Sequence, residues 1–92
     1  MADVQAKRRT IVRNPRILFG EPTIEGTRIP VRTVVLTNYV YAGHIGDILM
    51  AHPSLRAEDI ETALRFYRKH RNEINEYIAE NTEGEDIPHE RL

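Results

Sequence analysis

Basic residues are the side chains whose types and spacing best fit a particular chemistry in this sequence. Guanidinium and ammonium groups bind phosphate oxygens, and arginine also recognises the edge of a guanine base. Two groups of cations are therefore candidate DNA ligands: Lys7, Arg8, Arg9 and Arg13 near the start, and Arg65, Arg68 and Lys69 on a predicted helix. Their chemistry predicts contact with a polyanion.

The predicted helix that carries the second group begins with three carboxylates, Glu58, Asp59 and Glu61. In a helix-turn-helix protein this end of the helix enters the DNA groove, where carboxylates repel phosphates. The alternative is an ordinary amphipathic helix with a solvated face, and for the helix alone we favour that alternative. The cluster at residues 7–13 is the stronger phosphate-binding candidate.

Catalytic patterns are weak by comparison. Gly20 and Gly26 are six residues apart and precede Thr27-Arg28, whereas a phosphate-cradling loop has a spacing of five, followed by lysine and serine or threonine. The four histidines lack the helical spacing of two metal ligands. A chain of 92 residues also leaves little room for a substrate pocket. We therefore expect no enzyme activity, no metal and no cofactor.

Composition favours one small domain whose charges are unevenly distributed. Residues 1–34 carry seven basic and three acidic side chains, a net charge of +4, whereas residues 35–92 carry six and eleven, a net charge of −5. This asymmetry predicts two different partners or head-to-tail self-association, and ordinary surface scatter is the alternative. The sequence has no cysteine and no apolar run of membrane-spanning length, so we expect a cytoplasmic protein without membrane contact.

Short β-prone runs occupy the first third of the sequence. Residues 10–12 and 16–19 flank the turn signal Asn14-Pro15, and residues 23–24 and 27–31 flank Glu25-Gly26. We predict irregular β-hairpins over residues 10–31.

Helical spacing begins at Val31 and predicts three helices over residues 31–81. The first ends at Ala42-Gly43, the second covers residues 45–51 before Pro53, and the third runs from about residue 56 to 81. The predicted fold is α+β and mainly α, with N-terminal β-hairpins followed by a three-helix, helix-turn-helix-like core with a long last helix. We place a single domain at residues 10–81, between a flexible basic arm (1–9) and an acidic tail (82–92).

The third helix carries an apolar stripe that is longer than a two-helix core needs. Five of its side chains are candidates for a dimer seam or a partner interface: Leu64, Tyr67, Ile74, Tyr77 and Ile78. Packing against the N-terminal hairpins is the alternative. We favour a partner, and a homodimer in particular.

The segment Gly20-Glu21-Pro22-Thr23-Ile24-Glu25-Gly26-Thr27-Arg28-Ile29-Pro30-Val31 resembles the signature of the domain-of-unknown-function family 433. The likeness continues through His52-Pro53-Ser54-Leu55 and extends over about residues 12–67. It implies a homeodomain-like, helix-turn-helix protein. Three positions depart from the family pattern: Phe19 replaces a glycine, Glu21 replaces a lysine, and Arg56 stands where the helix N-cap is commonly threonine or serine.

Some members of this family are antitoxins that pair with PIN-domain ribonuclease toxins. The resemblance therefore implies an antitoxin of a type II toxin-antitoxin module, which binds its own promoter DNA and a PIN-type toxin. Arg28 lies within the signature, where its planar fork can contact DNA or clamp a carboxylate or carbonyl groups. A protein-interaction module of unknown partner, without DNA binding, is the alternative function.

Overall fold

The computed structural model describes residues 8–81. Lys7, the rest of the predicted arm before Arg8, and the predicted acidic tail at residues 82–92 lie outside the described residues.

A two-stranded antiparallel sheet opens the fold. It consists of β1 (Ile11–Val12) and β2 (Thr23–Ile24), with Ile11 opposite Ile24 and Val12 opposite Thr23. Strands this short contribute few backbone hydrogen bonds, so the helices must supply most of the packing.

The connection between the two strands is not the strand predicted at residues 16–19. The side chain of Asn14 accepts a hydrogen bond from the backbone N–H of Arg16 at 2.9 Å, which closes an Asx turn. A short 3-10 helix (Leu18–Gly20) follows. The strand predicted at residues 27–31 does not form either: the chain bends at Thr27 and Arg28, Pro30 makes a single bridge to Thr23, and Val31 already begins the first helix. At this bend the Thr27 hydroxyl donates to the Ile24 carbonyl at 2.8 Å.

Four helices follow in the described part of the chain: α1 (Val31–Val40), α2 (Ile45–Ala51), α3 (Ala57–Lys69) and α4 (Arg71–Asn81). The fold is α+β and mainly α, as predicted. The expected number of three helices is corrected to four, because the predicted long last helix breaks at His70.

The break at His70 has no proline or glycine signal. The backbone of His70 leaves the helical region, with φ −133° and ψ 42°, and its N–H donates to the carbonyls of Phe66 and Tyr67. Across the break, the Tyr67 hydroxyl donates to Oδ1 of Asn75 at 2.8 Å. This contact fastens the start of α4 to the end of α3.

The fold-back lets α4 complete the hydrophobic core that α1 and α3 begin. The buried apolar side chains of this core are Ile24, Val31, Val34, Val35, Ile48, Leu55, Ile60, Ala63, Tyr67, Ile74 and Ile78. Tyr67, Ile74 and Ile78 are therefore covered by the chain itself, which corrects the expectation that they face a partner. Leu64 and Tyr77 are half-buried at the edge of the core.

Within residues 8–81, no helix combines the length and the apolar character needed to cross a membrane.

Candidate nucleic-acid interface

A cleft of about 370 Å³ lies between the segment before β1 and the C-terminal half of α3. Eight residues line it: Arg8, Arg9, Thr10, Ile11, Thr62, Arg65, Phe66 and Lys69. The fold thus joins four of the eight predicted DNA-binding cations, two from each sequence group. We call this surface the basic cleft.

Arg9 is held in the wall of the basic cleft by the turn between α2 and α3. Its Nη2 lies 2.9 Å from Oδ2 of Asp59 and donates to the carbonyl of Ser54 at 2.8 Å. The Asp59 side chain is only 1% exposed, so its carboxylate needs a cationic partner to offset desolvation. Arg9 therefore holds the segment before β1 against the start of α3, and Asp59 already neutralises its charge.

The same carboxylate also caps α3. Arg56, the N-cap residue, offers no side-chain acceptor, but its backbone N–H donates to Oδ2 of Asp59 at 2.8 Å. The missing threonine or serine at position 56 is thus partly compensated by a residue one turn along.

Arg8 and Arg65 share a single acidic neighbour. Glu61 lies 4.0 Å from Arg8 and 3.6 Å from Arg65, and all three side chains are about half exposed. Exposed pairs of this kind bind weakly and exchange readily for another anion. Counting Arg8, Arg9, Arg65 and Lys69 against Asp59 and Glu61 gives the basic cleft a net charge of +2.

Phe66 supplies the aromatic surface of the basic cleft. Its ring stacks on His70, with centroids 4.1 Å apart and planes 22° apart, and the guanidinium of Arg13 lies 5.5 Å from its centroid. The ring is thus supported by His70 and by Arg13.

Arg13 itself is paired in two places with the carboxylate of Glu73, with Nη2 3.1 Å from Oε1 and Nη1 close to Oε2. The hydrogen bonds from Arg13 hold the pKa of Glu73 below its usual value, and those to Glu73 raise the pKa of Arg13. Arg13 therefore reaches a phosphate only by leaving this partner.

A second depression, of about 690 Å³, is lined by Val12 and the residues that follow β1, together with residues 25–28. Arg13 and Arg28 both line it, together with Asn14, Pro15 and Gly26. Arg28 is exposed there and lies apart from the basic cleft, so the structure separates it from Arg65 and Lys69. Arg68 is exposed as well, but it lines a different depression with Val35 and Leu64.

Glu21, where the family signature often has lysine, is not a surface residue. Its carboxylate is buried and lies 2.6 Å from Nε of Arg32. Burial raises the pKa of Glu21, and the charge of Arg32 opposes that rise. Sequence reasoning missed this pair, because nothing in the spacing of residues 21 and 32 indicates that the two side chains meet under the strands.

No group of three or more His, Cys, Asp or Glu side chains that could hold a metal ion occurs in the part of the chain from residue 8 to residue 81.

The fold and the cleft define a small, mainly helical domain in which α2, a tight turn and α3 follow one another in helix-turn-helix order. The chain belongs to the family described as protein of unknown function (DUF433), whose model matches residues 11–67. The matched segment includes both strands and the first three helices up to Tyr67.

Two relatives illustrate the likeness. The chain is 44% identical over 62 residues to the uncharacterized protein y4eO of Sinorhizobium fredii (strain NBRC 101917 / NGR234), a match that covers 66% of this chain and 27% of that protein. The chain thus spans about a quarter of the length of this relative. The fold is also similar to the crystal structure of a DUF433 member protein from Anabaena variabilis ATCC 29413, with a TM-score of 0.68 and 32% identity, covering 83% of this chain and 74% of that one.

Proposed function

We propose that this protein is a DNA-binding antitoxin that holds the phosphate backbone of duplex DNA in the basic cleft. The observation that carries the proposal is the convergence of Arg8, Arg65 and Lys69 on one cleft from two distant parts of the sequence. All three side chains are exposed, so they can exchange water or a weak partner for a phosphate.

The geometry favours a binding mode that does not insert the tip of α3 into the groove. Glu58 and Glu61 lie at that tip, and their carboxylates repel phosphates. The basic cleft begins one turn later, at Thr62, and uses the side of the helix. Contacts of this kind position a protein on DNA and contribute little sequence discrimination.

The pairing with a PIN-type toxin comes from the family resemblance. The homodimer comes from the apolar stripe in the sequence, the cytoplasmic location from the composition, and the acidic tail at residues 82–92 as the toxin contact from the charge of that segment. A two-fold symmetric dimer suits a promoter, because paired half-sites in DNA match paired clefts in the protein.

Fluorescence anisotropy tests the DNA contact, with a labelled duplex from the gene's own promoter and a scrambled duplex of equal length. The variant Arg65→Ala/Lys69→Ala should bind both duplexes about tenfold more weakly, and its plot of log affinity against log salt should be flatter by about two units. Arg16→Ala/Arg56→Ala removes two exposed cations that lie outside the cleft and is the matched control. Absence of binding at low salt, or equal losses in the two variants, contradicts the proposal.

One observation favours the alternative function, a protein-interaction module. Large apolar side chains are exposed around the connection between α1 and α2, including Val40 at 67% and Met50 at 81%. Residues 33–50 carry only one formal charge, that of Asp47. Large exposed apolar side chains with so little charge among them are typical of a protein contact.

This surface also offers a test that is independent of DNA. Val40→Asp/Met50→Asp should abolish binding to a PIN-type toxin encoded beside the gene, if that surface is the contact, and should leave DNA affinity unchanged. Calorimetric titration of the toxin into the wild-type protein and into this variant measures the difference in toxin affinity. If the toxin affinity of this variant is unchanged, the exposed apolar surface is not the toxin contact and the acidic tail remains the candidate.

A further inference from the structure

A groove follows a face of α3 next to the one that lines the basic cleft. It consists of two depressions, of about 520 Å³ and 220 Å³, that share Leu64. Its apolar lining residues are Val35, Ile45, Ala57, Ile60, Leu64 and Tyr67. Ile60 and Tyr67 are core residues, whereas Leu64 is half-buried and lies at the middle. We call this surface the Leu64 groove.

The rim of the Leu64 groove is charged with opposite signs at its two ends. Glu58 and Glu61 line the end near the start of α3, and Arg68 and Arg71 line the other. Glu61 and Arg68 lie on α3 on either side of Leu64, and Glu58 and Arg71 lie further out, with Arg71 as the first residue of α4. One copy of the groove therefore carries the electrostatic complement of another copy turned end to end.

We propose that a second copy of this chain packs antiparallel across the Leu64 groove, with the two-fold axis close to Leu64. A two-fold interface pairs residue i with residue j and j with i. The antiparallel arrangement places Glu61 opposite Arg68 of the partner subunit, and Glu58 opposite Arg71 of the partner subunit. Each pairing occurs twice, and the two copies of Leu64 meet at the centre.

The existing contacts of the acidic rim do not oppose this arrangement. Glu58 lies 3.9 Å from Arg56, and Glu61 is 3.6 Å from Arg65, and all of these side chains are well exposed. Pairs with this geometry are weak, so little is lost when a carboxylate turns towards another cation. At the other end, the guanidinium of Arg71 lies 5.0 Å from the centroid of the Tyr67 ring, which also lines the groove.

Charge complementarity also explains why the occupant is a second copy. A foreign partner needs its own matching pattern of two cations and two carboxylates at the right spacing, whereas this chain already carries it. The basic cleft uses Thr62, Phe66 and Lys69 on the neighbouring face of α3. The dimer therefore leaves both copies of the basic cleft exposed.

Analytical ultracentrifugation of the full chain, from 1 to 100 µM, tests the proposal through charge reversal and rescue. The wild-type protein should sediment at about twice its chain mass of 10.7 kDa. Glu61→Arg or Arg68→Glu alone turns two attractive pairs into repulsive ones and should weaken the dimer roughly tenfold or more. The double variant Glu61→Arg/Arg68→Glu restores both pairs and should recover most of the wild-type affinity.

Glu76→Arg, an exposed position on α4 outside the groove, controls for the change of net charge, and circular dichroism verifies that each variant is folded. A wild-type monomer at 100 µM overturns the proposal. A dimer that the single reversals do not weaken, or one that the double variant fails to rescue, overturns it as well. Because no DNA is present, the result is independent of the proposed DNA contact.

Discussion

Nη2 of Arg9 lies 2.9 Å from Oδ2 of Asp59, and this ion pair joins the segment before β1 to the first turn of α3. The same carboxylate oxygen accepts the backbone N–H of Arg56, and the same guanidinium nitrogen donates to the carbonyl of Ser54. One buried acid thus fixes the start of α3, the turn before it and one wall of the basic cleft.

Asp59→Ala should therefore destabilise the protein strongly. The substitution leaves the guanidinium of Arg9 without its anion and removes the acceptor at the start of α3. Breaking a buried pair in this way costs about 3–5 kcal/mol, which is a large part of the stability of a small domain. Urea denaturation followed by circular dichroism measures the loss.

Glu76→Ala is the matched control, because it removes an exposed carboxylate from a helix surface. Its effect should stay within about 0.5 kcal/mol. Equal unfolding midpoints for the two variants would show that the Arg9–Asp59 pair does not hold the fold together.

Glu73 and Glu21 have pKa values shifted in opposite directions, and they predict opposite pH dependences. Glu73 has a lowered pKa because of its hydrogen bonds from Arg13, so its stabilising contribution is present above about pH 4.3, the unfolded value, and is lost as the pH falls through the lowered pKa. Glu21 has a raised pKa because of burial, so its contribution is present below about pH 4.3 and is lost as the pH rises through the raised pKa.

Urea midpoints between pH 2.5 and 7 test this contrast in the variants Glu73→Gln and Glu21→Gln. Glu73→Gln should cost up to about 1 kcal/mol at pH 7, since the pair is partly exposed, and the cost should vanish at the acid end. The stability of Glu21→Gln relative to wild type should be lowest at the acid end and should increase as the pH rises. Parallel pH profiles for both variants would refute the assignment.

Periodicity and turn chemistry predicted much of this fold. The starts of α1 at Val31 and of α2 at Ile45 follow from local signals, and so does the end of α2 before Pro53. The break at His70 does not, because it depends on contacts of α4 with α1 and on the bond between Tyr67 and Asn75. When residues 56–81 are taken as one helix, its apolar stripe is longer than the core that it packs against, and the C-terminal half of the stripe resembles a partner surface.

The sequence singled out the cations of the candidate site as residue types but did not place them together. The structure brings those at positions 8, 9, 65 and 69 to one cleft. The neutralisation of Arg9 by Asp59 and of Arg13 by Glu73 could not be read from the sequence, because these partners are 50 and 60 residues away. Ion pairs over such separations depend on the tertiary fold.

Ile78→Ala tests whether α4 belongs to the core of the single chain. The side chain of Ile78 is fully buried, so its truncation should cost about 2–5 kcal/mol. Met50→Ala removes a large apolar side chain that is 81% exposed and lies outside the Leu64 groove, and it should cost clearly less. If thermal unfolding shows the reverse order, Ile78 does not belong to the core and the original expectation of a partner surface returns.

Phe19 gives the last prediction, because its backbone and its side chain make separate contributions to stability. Its φ is 55°, in the left-handed region that favours glycine, and its side chain is 100% exposed. Phe19→Gly therefore relieves backbone strain without loss of buried area, and the relief of about 1–2 kcal/mol exceeds the added entropy of the unfolded chain. We expect a net stabilisation of about 0.5–1 kcal/mol in urea. Phe19→Ala separates the two contributions, since it removes the ring but keeps a Cβ at positive φ, and its midpoint should match that of the wild-type protein. A stabilised alanine variant, or a glycine variant that unfolds earlier than wild type, would show that strain at this position is not what limits stability.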